Sequence, residues 1–395
     1  MDTQQQGIIS LIKSGITAQR YRLPDSFVLE DALPIVMKHH MLPLVYTGAC
    51  YCGIDRESDT MQKMLMSYYQ LLMKSEGQMQ AIRQICTAFD DHGIDYMPVK
   101  GCILKDLYPT AELRSMGDAD ILIRMEQYPQ IIPIMEALGF QAIKESDHEL
   151  VWKSPNLYLE LHKRLIPSYN RDFFAYFGDG WKLAVRKEGT RFSMTSEDEM
   201  IFLFTHFAKH FRDGGIGCRY VLDLWVFRRA NPNMDEGYIK EELCKLQLYE
   251  FYRNILHLID LWSDGAPTDD KMDAMTEYIF ASGSWGSVAS RTISNAVRRE
   301  AEENGRINAK WDYFKTYAFP GVQVLKFKYP ILQKAPWMLP LVWVYRPFYK
   351  LIFERRSMER RVAQGQAIGT QDVDDRERML RYMVLAYHFG ADEDD

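Results

Sequence analysis

Residues 96–124, YMPVKGCILKDLYPTAELRSMGDADILIR, decide how this chain reads. A short apolar run leads into Lys100-Gly101. A helical spacer follows, and Arg114, Gly117 and Asp118-Ala119-Asp120 then run into Ile121-Leu122-Ile123. Side chains on a strand alternate between faces with a period of two. Asp118 and Asp120 therefore point together into solvent or a cleft, and Ala119 and Ile121 point the other way, into a core. Two carboxylates that close repel each other unless a cation sits between them. An oxygen-only pair of this kind suits Mg²⁺.

Outward from this stretch, the spacing predicts a strand over 94–99, a short helix over 102–108 and a second strand over 119–124. A helix over 126–138 closes on Gly139, and strands over 140–143, 149–153 and 157–164 complete a mixed α/β unit. On the N-terminal side the chain reads as helical. The pattern of Met61, Leu65, Tyr68, Leu72, Met79, Ile82 and Phe89 predicts a long helix over 59–91, with Asp59 as N-cap and His92-Gly93 as its stop. One or two shorter helices fall around Pro34 and Pro43. From Ser196 the chain turns helical again, with Ser196 and Glu199 placed as a capping box. Helices are expected over 199–211, 218–229, 235–247, 249–262 and 269–279. The division expected is 1–93 helical, 94–195 mixed, 196–290 helical and 291–395 a basic, aromatic C-terminal region with an acidic tail. The fold class is thus α+β.

The chain has 395 residues, 47% of them apolar and 26% charged, and a formal net charge of −6. That is an ordinary globular composition, not that of a nucleic-acid coat protein. Six scattered cysteines do not make a disulfide framework in a chain this long, which fits a reducing cytoplasm. The N-terminus lacks a basic segment followed by an apolar one, so no signal peptide is expected. No apolar run is long enough to predict a spanning helix. Residues 291–361 differ, with 15 Lys and Arg against 6 Asp and Glu, interleaved with aromatics and prolines. Three readings stay open for them: a solvated basic face packed on the rest, an RNA contact, or a membrane-surface segment over 337–353. Prolines 336, 340 and 347 argue against one long helix there.

Lys100-Gly101, Leu104, Tyr108, Arg114, Asp118-x-Asp120 and Leu122-Ile123 together resemble a family of uncharacterised nucleotidyltransferases of the polymerase-beta-like superfamily. The resemblance continues through Leu159-Glu160-Leu161-His162, His206-x-x-x-His210 and Arg219-x-x-x-Asp223. It implies a nucleotidyltransferase core, a small mixed sheet with helices. It also implies transfer of a nucleoside monophosphate from an NTP such as ATP to a hydroxyl or phosphate acceptor, releasing pyrophosphate. Gly101 becomes the phosphate-turn glycine. Asp118, Asp120 and Glu160 become the catalytic carboxylates, ligating two Mg²⁺ ions, with Mn²⁺ as an alternative. Read from the residues themselves, Lys100, Arg114, His162 and Lys209 are candidate nucleotide contacts beside Gly101 and Cys102. Cys102 stands where the superfamily has a serine, and a thiol is a weak donor.

Each candidate has a plain structural reading as well. On that reading the aspartates edge a solvated strand, and His206 and His210, at i and i+4, only pack a helix. Arg219 and Asp223 read most simply as an intrahelical ion pair worth roughly 0.3–0.5 kcal/mol. As acceptor, a small molecule, a peptide, a protein or an RNA fits equally. A toxin- or defence-type nucleotidyltransferase acting on RNA or protein is one alternative, and a non-catalytic nucleotide-binding scaffold is another.

Overall fold

The computed structural model describes residues 1–283, 288–303, 309–326, 328–356, 359, 362–363 and 370–387. The acidic tail at 391–395 and Phe327 of the aromatic segment lie outside them.

Helices α1 (Thr3–Thr17), α2 (Leu29–Lys38), α3 (Leu42–Cys52) and α4 (Asp59–Asp91) open the chain. The long helix is the expected one, but its N-cap is Ser58, whose hydroxyl accepts from the Met61 N–H; Asp59 is its first helical residue. Helices α1 and α3 cross in close contact. A Cβ on Gly48 would lie 1.8 Å from the Leu11 carbonyl oxygen, so only glycine permits the crossing.

The mixed α/β unit follows: β1 (Tyr96–Val99), α5 (Gly101–Leu104), β2 (Asp118–Ile123), α6 (Tyr128–Ala137), β3 (Gln141–Glu145), β4 (Glu149–Lys153) and β5 (Tyr158–His162). The helix expected over 102–108 is a single α turn continued by a 3-10 turn at Lys105–Leu107. Helix α7 (Arg171–Phe177) and the hairpin β6 (Val185–Glu188) with β7 (Arg191–Ser193) were not expected. Strand β6 is exposed throughout, so no alternation marks it. The seven strands form one sheet in the order β3-β4-β5-β2-β1-β7-β6. Strand β2 pairs antiparallel with β1 and parallel with β5, which sets Asp120 opposite Glu160 and Leu122 opposite His162.

The period of two divides the sheet between two cores. Tyr96, Ala119, Ile121, Ile123, Leu159 and Leu161 join Ile82, Ile85 and Phe89 of α4 and Ile131 and Met135 of α6. Met97, Val99 and Leu122 join the core beneath the C-terminal helices. Those are α8 (Ser196–Arg212), α9 (Cys218–Ala230), α10 (Glu236–Lys245), α11 (Tyr249–Asp264) and α12 (Asp270–Ser282). Helix α8 is capped by Thr195, whose hydroxyl accepts from the Asp198 N–H. Ser196 is therefore already helical, and Glu199 is buried and does not close a capping box.

Beyond 288 the described residues are mostly helical, including Leu339–Phe353 and Thr370–Tyr382. The prolines do not prevent the first of these: Pro340 sits in its first turn, where no donor is needed, and Pro347 is carried inside. No helix among the described residues is long and apolar enough to cross a membrane.

Candidate active site

The face of β2 that carries Asp118 and Asp120 opens into a cleft of about 490 Å³ between the sheet and helices α8 and α9. Asp118, Asp120 and Glu160 line one wall, with Lys100 and Gly101 beside them. His206, Lys209, His210, Arg219 and Tyr220 line the other. The sheet supplies the acids because β2 and β5 run parallel and in register. The helices supply bases because α8 turns positions 206, 209 and 210 to one side.

Asp120 is the hub. Its Oδ1 accepts from Lys100 Nζ at 2.7 Å and from His162 Nε2 at 2.8 Å. Glu160 Oε2 lies 3.6 Å from the same imidazole nitrogen. Burial alone would neutralise Asp120, but Lys100 and His162 outweigh it and hold the carboxyl well below the usual range. Asp118 has no such partner among the described residues. Burial, with Asp120 and Glu160 close by, pushes it up to about 7. Burial opposes the charge on Lys100 as well, yet the three carboxylates keep its pKa above normal. His162 follows suit: burial and Lys100 lower it, but the hydrogen bond to Asp120 and the nearby Glu160 carboxylate prevail.

Lys100 reaches Asp120 through an unusual backbone. Its φ is +52° immediately before α5, a conformation that costs a non-glycine residue on the order of 1–3 kcal/mol. Gly101 is tied to the same geometry, since a Cβ there would meet Arg114 Nη1 at 2.9 Å and Met116 Sδ at 3.1 Å.

Among the described residues, Asp120, Glu160 and His162 are the set whose ligand atoms all fall within 4.8 Å of one another. Asp118 stands outside that tight set but lines the same cleft. Two carboxylates and an imidazole can hold a divalent cation, and in the structure the Lys100 ammonium and the His162 imidazole are what relieve the crowding.

Lys100, Gly101, Arg114 and Lys209 reach the cleft lining as the sequence suggested. Cys102 and His162 do not. Cys102 packs among the apolar residues on the far side of the sheet, and burial pushes its thiol up, so it stays protonated. His162 is 2% exposed, behind Asp120, and acts as that carboxylate's donor. Arg114 is committed elsewhere: Nε and Nη2 each donate to Asp223 at 2.8 Å, and the Tyr108 hydroxyl donates to the same carboxylate. That replaces the intrahelical pair expected between Arg219 and Asp223. Arg219 instead donates to the Ser115 carbonyl at 2.9 Å.

Lys209 is buried and, among the described residues, has no ion-pair partner. Burial, with Lys100 nearby, lowers its pKa. His206 and His210 are driven well down by burial and so are neutral. Their rings and Tyr220 form a contiguous aromatic group, with centroids 4.4–6.0 Å apart. Sequence reasoning missed Tyr169, Asp213, Tyr220 and Arg291, which also line the cleft. A signal existed for Asp213 alone, in the Asp213-Gly214-Gly215 run that ends α8.

No curated protein and no solved structure matches the chain. The model of one family, described as an uncharacterised nucleotidyltransferase, matches residues 25–264. That span holds every acidic and basic cleft residue named above except Arg291. The chain belongs to this uncharacterised nucleotidyltransferase family.

Proposed function

We propose that the chain is a divalent-metal-dependent nucleotidyltransferase that moves a nucleoside monophosphate from an NTP to a hydroxyl or phosphate acceptor, with loss of pyrophosphate. The observation that carries this reading is the convergence of Asp118, Asp120 and Glu160 on one cleft wall, opposite the buried Lys209, which has no ion-pair partner among the described residues. Asp118, Asp120 and Glu160 would hold Mg²⁺. When bound, the metal neutralises charge on the phosphates and orients the attacking oxygen. Lys209 offers a full charge to the triphosphate from the opposite wall, where low dielectric strengthens the attraction. His162 fixes the rotamer of Asp120 and keeps it ionised. Glu160, one strand over, is placed to take the proton from an acceptor hydroxyl. The Tyr220, His206 and His210 rings give a flat surface on which a nucleobase can stack.

Calorimetry with ATP, GTP, CTP and UTP in Mg²⁺, paired with a pyrophosphate-release assay, tests the reading. The wild type should bind at least one NTP only with the metal present, and Asp118→Ala/Asp120→Ala should abolish binding and pyrophosphate release while keeping its circular dichroism. Metal-independent binding, or an unaffected double variant, overturns it. One observation favours a second reading: Lys100 Nζ rests on Asp120 where a cation would bind. For a non-catalytic nucleotide-binding scaffold, the same assay gives metal-dependent binding with no pyrophosphate released across small-molecule, peptide and RNA acceptors.

A further inference from the structure

Helix Leu339–Phe353 has two apolar sides. Val342 is buried against Leu325 and Leu332, with Leu339 and Trp343 packed beside it, and the Trp343 indole N–H donates to the Pro320 carbonyl at 2.9 Å. The opposite side is bare. Trp337, just before the helix, is 76% exposed, Leu341 59%, Val344 64%, Tyr345 52% and Phe348 63%. These positions recur at steps of three and four and so form one stripe. Both ends of the stripe are cationic, with Lys334 exposed on one side and Arg355 and Arg356 on the other. Residues 326–356 hold seven Lys and Arg and a single acid, Glu354.

We propose that this stripe is a membrane-surface anchor, lying flat on an anionic lipid leaflet. The charge pattern selects that occupant. An apolar centre of aliphatic and amphipathic aromatic side chains matches the boundary of the acyl region, and a cationic rim matches acidic headgroups. RNA fits less well. Leu341 and Val344 offer neither stacking nor phosphate contacts, while Arg346 is turned to the carbonyls of Tyr317 and Ala318, and Lys350 to the Tyr317 hydroxyl. A second copy of the chain fits less well too, because a two-fold contact sets one cationic rim against another. The opposite side's packing fixes the helix along the surface. Its 15 residues are too few to span a bilayer.

Co-sedimentation of the full chain with vesicles tests this. Wild type should pellet with phosphatidylglycerol–phosphatidylcholine vesicles. On pure phosphatidylcholine it should bind about thirtyfold more weakly, since Lys334 and Arg356 contribute about 1 kcal/mol each near an anionic surface, Arg355 being paired with Glu359. Leu341→Glu/Phe348→Glu should stay in the supernatant while keeping its circular dichroism and its calorimetric response to NTP and Mg²⁺. Wild type left in the supernatant with anionic vesicles overturns the proposal, as does a double variant that pellets equally. It also fails if light scattering finds a dimer that the double variant splits, or if RNA is bound through these residues, with no vesicle binding in either case.

Discussion

Lys100 occupies two roles in one residue. Its backbone holds a positive φ at the entrance to α5, and its ammonium rests on Asp120 as a built-in counter-ion for three crowded carboxylates. Replacing it with an isosteric apolar group leaves those carboxylates to repel one another. Lys100→Met should therefore melt earlier than wild type in EDTA, and millimolar Mg²⁺ should raise its melting temperature more than it raises the wild type's. Differential scanning fluorimetry reads both, and equal responses to Mg²⁺ would mean that the carboxylates do not share a cation. Glu199 makes a separate case, far from the carboxylates. It is 5% exposed, its Oε1 has no hydrogen-bond partner among the described residues, and burial, with Asp198 beside it, pushes it up to about 8. Between its ordinary pKa and about 8 the folded chain holds a proton that the unfolded chain has lost. Stability from this group is thus present at low pH and falls as pH rises through that window. Glu199→Gln should melt above wild type at pH 8.5, with the difference shrinking toward pH 5. The same residue marks a limit of sequence reading. Its spacing from Ser196 fits a capping box, and only the position of Thr195 shows that the helix starts one residue earlier. That Asp118 and Asp120 share a face, by contrast, was legible, because a period of two is a local property of a strand and needs no knowledge of its neighbours; Glu160 came only from the family resemblance, and its place opposite Asp120 depends on strand pairing.

At the scale of elements, legibility follows distance along the chain. Strands β1, β2, β4 and β5 and helices α4 and α8–α12 announce themselves by periodicity. The parallel pairing of β2 with β5 does not, since it is fixed only when both strands meet. The link between the loop before β2 and α9 was likewise hidden. Arg114 and Asp223 stand 109 residues apart, and the i, i+4 spacing of Arg219 offered a nearer partner. This buried, bidentate pair pins the 114–117 loop, and with it the approach to Asp118, onto α9. Removing one partner of a buried pair strands the other's charge, which costs about 3–5 kcal/mol. Asp223→Asn should lose about that much in urea unfolding. Arg114→Met/Asp223→Leu should recover part of it, since an apolar pair leaves no stranded charge. A single variant no less stable than the wild type would show that the pair does not hold the loop.

Across the whole molecule one core runs from Ile8 in α1 through Leu122 of the sheet and Phe211 of α8 to Val373, Leu380, Met383 and Leu385 near the C-terminus. The family match stops at residue 264, yet the chain beyond it closes over the cleft's own wall. The Tyr387 ring lies 4.2 Å from the Arg212 guanidinium, and its hydroxyl donates to Asp213, a cleft-lining residue. Arg212 in turn is buried and paired with Asp172 at 2.6 Å. Such continuity joins the C-terminal helix energetically to α8, from which Lys209 projects. A truncated Leu380, 1% exposed, leaves a cavity in that shared core at a cost of about 2–5 kcal/mol. Because the core is shared, the loss should lower the single main melting transition of the chain, and Mg²⁺-dependent NTP affinity should weaken with it as the Asp213 end of α8 loosens. Were Leu380→Ala instead to release a separate early transition, with the main melt and NTP affinity unchanged, the C-terminal helix would be an appendage and α8 would owe it nothing. Calorimetric melting of wild type and Leu380→Ala, with and without NTP and Mg²⁺, separates the two, because only a helix built into the core can move both readings together.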